Sequence, residues 1–125
     1  MPVEPGLSAR VSLVVLDSDT ALALNSGDVP VLATPRLIAL CEEAACSAVD
    51  GVLGQGRTSV GVRVQFDHLA PVNTGSEVVA EATLEKVEGR RLVFTVTATD
   101  AAGLVGAGKV TRVVVERGDF LAKAR

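Results

Sequence analysis

The period of the apolar positions changes twice along the chain, and each change marks a change of element. Ser8–Leu16 is rich in Val and Leu and reads as a first strand. Asp17 to Val31 has no period, and Asn25-Ser26-Gly27-Asp28 and Pro30 are turn signals. Helical spacing then takes over for Pro35–Leu53. Leu37, Ile38, Leu40, Cys41, Ala44, Ala45, Ala48, Val49 and Val52 form one broad apolar face of this segment. Thr34 suits the N-cap and Pro35 the first helical position, while Gly51 and Gly54 mark a fraying end.

Past the helix the period falls to two. In Thr58–His68 the alternation puts Val60, Val62, Val64, Phe66 and His68 on one face, the expected core side. Ser59, Gly61, Arg63, Gln65 and Asp67 share the other face. Further strands follow at Ser76–Val87, Arg90–Thr99 and Leu104–Glu116, with a tight hairpin at Glu88-Gly89 and a turn at Asp100-Ala101-Ala102-Gly103. Gly118–Arg125 reads as a short terminal helix. Short connections between the last four strands predict an antiparallel meander. The expectation is one α+β domain over residues 1–125. An antiparallel five-stranded sheet would wrap around one long central helix, the hot-dog arrangement. Its exposed sheet edge predicts a homodimer, with a further pairing of dimers into a tetramer left open.

Composition narrows the partners. The chain has 125 residues, 48% of them hydrophobic, enough to bury a core. Trp and Tyr are absent, and Phe66, Phe94 and Phe120 are the only aromatic residues of the three types, so stacking platforms for single-stranded nucleic acid are missing. The net charge is −3 and Lys and Arg are scattered, which argues against a nucleic-acid partner. The start Met-Pro-Val-Glu-Pro does not look like a signal peptide, and no apolar stretch nears the roughly 20 residues that cross a bilayer. No membrane partner and a cytoplasmic location are expected. Cys41 and Cys46 point to different sides of the helix, so free thiols are expected. Their spacing, with His68, is not a zinc pattern, and neither metal nor cofactor is expected.

Few residues remain for chemistry. Glu43 falls beside Arg36, Ser47 and Asp50 on the polar side of the helix, where a carboxylate is solvated. Glu42 falls beside Ile38, Ala45 and Val49 at the apolar margin, where it loses water; a boundary Glu reaching back to solvent is the alternative. His68, the one histidine, ends its strand on the presumed core face, as a packed core residue or as an acid–base group at a cleft. Arg112 shares a strand face with Val110 and Val114, and alternation leaves open whether that face points inward. A helix start at Thr34 also offers unpaired N–H groups and a positive dipole end to a developing oxyanion.

Taken together, these positions resemble a known family. Val31-Leu32-Ala33-Thr34 is followed by Glu42 eight residues on and by His68 twenty-six further. Val87-Glu88-Gly89-Arg90-Arg91-Leu92 and Gly106-x-Gly108 leading to Arg112 complete a pattern similar to that of the fluoroacetyl-CoA thioesterase family, from Leu7 to Lys123. The resemblance implies a hot-dog thioesterase that cleaves a short or small acyl-CoA to the free acid and CoA. It implies a catalytic set of Thr34, Glu42 and His68, with Gly61 lining the thioester site and Arg112 near it as substrate-binding residues. Two departures bear on substrate. No Phe precedes Phe66, so the lid segment Asp17–Val31 offers only Leu and Val, and Glu43 stands where the relative has a large aromatic. Ordinary acyl-CoAs are therefore expected to be cleaved at least as well as the fluorinated one. Thr34 and Glu42 are separated by about 12 Å of helix rise. They are expected to meet, with His68, only across a dimer interface. Two rival readings are an enoyl-CoA hydratase or dehydratase and a non-catalytic acyl-CoA-binding module. The first places Asp and His near the helix start, where Thr34-Pro35-Arg36 stands here; the second has no need for Glu42 and His68 to meet.

Overall fold

The computed structural model describes residues 2–125. Five strands alternate with helical pieces in the order β1 (Ser8–Val14), a 3-10 turn (Asp17–Asp19), α1 (Ala21–Leu24), α2 (Thr34–Ala48), β2 (Arg57–His68), β3 (Glu77–Glu88), β4 (Arg91–Asp100), β5 (Gly103–Glu116) and α3 (Arg117–Ala122). All strands pair antiparallel in one sheet with the order β1-β3-β4-β5-β2. The sheet curls around α2, which touches every strand. The hot-dog expectation therefore holds.

Alternation along β3 and β4 buries Val78, Ala80, Ala82 and Leu84, and Leu92, Phe94, Val96 and Ala98. Against them α2 sets Leu37, Leu40, Cys41, Ala44, Ala45 and Ala48. The three alanines keep that face thin and let the helix lie close to the sheet. Each fully buried Leu or Val contributes about 1.5–3 kcal/mol relative to leaving it in water.

Three expectations are corrected. β3, β4 and β5 form a meander, but β2 does not continue it: residues 69–76 carry the chain across to β3, and β2 pairs with β5 at the far edge. Eight extended residues reach about 26 Å, enough to pass two intervening strands spaced about 4.8 Å apart. The helix ends at Ala48 rather than Leu53, because the turn to Gly51 (φ 77°) leaves the right-handed region where an L side chain is disfavoured. Thr34 is the first helical residue and not the cap; Ala33 holds the cap position with no side-chain bond.

The fourth correction shapes the site. Gly61 pairs with Arg112 and Arg63 with Thr111, so Val62 is an extra residue in a β-bulge. A bulge reverses the alternation beyond it. The inward face of β2 is Ser59 and Gly61 before the bulge, then Val64, Phe66 and His68 after it. Val62 is half exposed, against the core position that plain alternation gave it.

Candidate active site

Thr34 opens α2 and His68 closes β2, and their side chains meet: Thr34 Oγ1 lies 2.8 Å from His68 Nδ1. The Thr34 hydroxyl donates to Nδ1 or accepts from it, according to the imidazole tautomer. Nε2 is buried and has no hydrogen-bond partner among the described residues. Thr34 sits in the first turn, where the backbone N–H groups lack intrahelical acceptors and the helix dipole is positive.

The segment between β1 and α2 is fastened over this helix start. Asp19 is buried; its carboxylate accepts from Arg36 Nε at 3.0 Å and from the Leu16 N–H at 2.9 Å. The Ala33 N–H donates to the Asp19 carbonyl, and the Ala21 N–H to the Val31 carbonyl. This segment and the loop after β2 border an open cleft of about 350 Å³. Thr34 and His68 stand in its wall with Ala21, Ser26, Gly27, Asp28, Val29, Val31, Leu32, Leu69, Ala70 and Pro71. No aromatic residue lines it, and Asp28 is its one acidic residue.

Glu42 lies elsewhere. It sits two turns further along α2, and its Oε2 accepts from Arg112 Nη1 at 3.1 Å. Arg112 is buried on the inward face of β5, which answers the question its alternation left open. Its Nε donates to Ser59 Oγ and its Nη2 to the Ser59 carbonyl, both at 2.9 Å. Gly61 lies directly beneath: a Cβ there would collide with Glu42 Oε2 and stand 3.4 Å from Arg112 Nη1. Glu43 is exposed, with no ion pair among the described residues. Burial first, and the Glu42 charge second, push the Cys41 thiol up to about 11.

One chain therefore carries two separate side-chain clusters. Thr34 and His68 form the first; Glu42, Arg112, Gly61 and Ser59 form the second. Ser59 was missed in the sequence, because the bulge that turns it inward leaves no mark in the alternation. Both clusters face the same side of the sheet and lie along β2, one of its two edge strands.

The comparisons with known proteins agree with this fold. A fluoroacetyl-CoA thioesterase of Streptantibioticus cattleyicolor is 36% identical over 95 residues, which cover 76% of this chain and 68% of the relative. The solved structure of the fluoroacetyl-CoA thioesterase FlK matches with a TM-score of 0.92 at 29% identity, over 98% of this chain and 96% of that one. A hot-dog-like protein from Thermanaerovibrio acidaminovorans matches with a TM-score of 0.86 at 33% identity, over 95% and 87%. The family described as fluoroacetyl-CoA-specific thioesterase matches residues 15–118, and the chain belongs to that family.

Proposed function

We propose that residues 1–125 form a single working domain that hydrolyses small acyl-CoA thioesters as a homodimer in the cytoplasm, with Thr34, Glu42 and His68 as the reacting groups. The chain is a thioester hydrolase by its family and by its relatives. The observation that carries the site assignment is the Thr34–His68 pair, 2.8 Å apart in the wall of an open cleft of about 350 Å³ that has room for an acyl thioester.

Dimerisation supplies the missing half. β2 is an edge strand of 12 residues beside half-exposed Val62 and Leu69, and an unpaired edge of that length invites a second copy. Two antiparallel β2 strands centred near Val64 and Gln65 set His68 opposite the partner's Gly61. The partner's Glu42 then comes to the Thr34–His68 pair, and a twofold axis makes two equivalent sites. With Glu42 as base, water adds to the thioester carbonyl and yields a proton to Glu42, the C–S bond breaks, and the CoA thiolate leaves with that proton, relayed by His68. With Glu42 as nucleophile, its acyl anhydride forms as the CoA thiolate leaves, and water then hydrolyses the anhydride; in either case the first turn of α2 receives the oxyanion. Gly61 and Arg112 border the thioester.

The test is thiol release from acyl-CoAs of increasing length, with crotonyl-CoA hydration followed in parallel. Release of CoA from a short acyl-CoA is expected. Hydration without thiol release would establish the hydratase instead, and binding without turnover the non-catalytic binding module.

A further inference from the structure

We propose that Ser59 is a positioning residue for the thioesterase site, acting on the Glu42 carboxylate through Arg112. The inference rests on the reading of Glu42 as a reacting group. Arg112 spends three of its donors inside the protein, two on Ser59 and one on Glu42. Ser59 thus fixes both the tilt of the guanidinium, through its hydroxyl, and its depth, through its carbonyl. The geometry is a diagonal cross-strand pair: Gly61 faces Arg112 in the register, and Ser59 lies two residues away on the same inward face of β2.

The carboxylate is steered by what remains. Gly61 leaves no side chain under Oε2, so Glu42 lies flat against the strand. Arg112 Nη1 holds Oε2, and no protein donor among the described residues holds Oε1. One oxygen is therefore locked and the other is free for water or thioester. With the carboxylate about a third exposed and the guanidinium buried, the rigid member of the pair is Arg112. Its orientation, and so that of Glu42, depends on Ser59. A rotated guanidinium would swing the carboxylate from its place above Gly61, and an error near 1 Å costs one to two orders of magnitude in rate.

Three substitutions test this, with kcat and KM measured separately on acetyl-CoA and unfolding midpoints recorded. Ser59→Ala is expected to lower kcat about tenfold while KM stays within about twofold. Ser59→Thr and Ser59→Val share one shape and differ in the hydroxyl, so any crowding affects both equally. The Thr variant is expected to exceed the Val variant by about tenfold in kcat. That comparison decides the matter if the Ala variant does not fold. Equal kcat in the Thr and Val variants overturns the proposal, as does a Ser59→Ala loss carried by KM alone. A parent enzyme that turns over no acyl-CoA overturns the functional reading itself. An active parent that loses its activity on Glu42→Ala but ignores all three Ser59 changes overturns only the role of Ser59.

Discussion

Mixing two inactive variants tests whether the site is shared between subunits. The perturbations are Thr34→Ala and Glu42→Ala, each made alone. Within one chain Thr34 and Glu42 are about 12 Å apart along α2, and Gly61 and His68 are roughly 20 Å apart along β2. Thr34 and His68 stand at one end of this layout and Glu42 at the other, so no single chain assembles all three. If the partner's Glu42 completes the site, each homodimer of either variant has two damaged sites. In a mixed dimer one site collects both defects and the other collects none. Random re-association of equal amounts makes about half the dimers mixed, each with one intact site of two, so activity should rise to about a quarter of the parental value. The assay is thiol release after subunit exchange, with differently tagged chains to count mixed dimers. Activity that stays at the level of the separate variants, although the tags prove exchange, would refute the shared site.

Other outcomes follow from the same geometry. Glu42→Ala removes the one counter-charge of buried Arg112; breaking a buried pair costs about 3–5 kcal/mol, and exposure of the carboxylate reduces this to roughly 1–3 kcal/mol. Turnover should fall at least about a hundredfold in that variant, while exposed Glu43→Ala changes neither activity nor unfolding midpoint measurably. Equal losses from both would mean that the helix face is misassigned, and full activity in Glu42→Ala would refute a catalytic role for that carboxylate. Because the cavity beside Thr34 has no aromatic wall, acetyl-CoA should be cleaved with a kcat/KM no lower than that of fluoroacetyl-CoA, and a strong preference for the fluorinated substrate contradicts this. With its thiol raised to about 11 by burial and by Glu42, Cys41 should resist an aromatic disulfide reagent at pH 8 while exposed Cys46 reacts, giving one labelled thiol when native and two when denatured. The same shift makes stability fall as pH rises from 9 toward 11, because the unfolded chain releases the Cys41 proton first.

Much of the fold was legible because it follows from period. The apolar stripe of α2, from Leu37 to Val49, is buried almost as the helical wheel places it. The alternating Val, Ala and Leu of β3 and β4 go inward as a period of two requires. What failed was information that period does not hold. The place of β2 beside β5 depends on where the chain crosses after His68, and residues 69–76 carry no sign of the side they take. The bulge at Val62 is equally silent, since Val60, Val62 and Val64 look like one uninterrupted stripe. Yet the bulge is what lets Gly61 and His68, an odd number of residues apart, face the same helix.

Thr34 shows why local rules give way at this site. A threonine before Pro35 has every local reason to cap the helix with its own hydroxyl. Here the start of α2 is held by other means. The Ala33 N–H is taken by the Asp19 carbonyl, Pro35 has no N–H to satisfy, and Arg36 is tied to the Asp19 carboxylate. With the entry to the helix fixed from the lid, the chain moves one residue along, Ala33 becomes the cap position, and the Thr34 hydroxyl is released to His68. A hydroxyl bound to its own backbone would have its lone pairs turned toward the helix N–H groups and would be drawn away from His68. The segment over the helix start is thus also the element that frees the Thr34 hydroxyl for His68, and a change at Asp19 would loosen both together. Departure from the cap rule coincides with the residue proposed to react, the kind of place where consistency between local and global preference is expected to break.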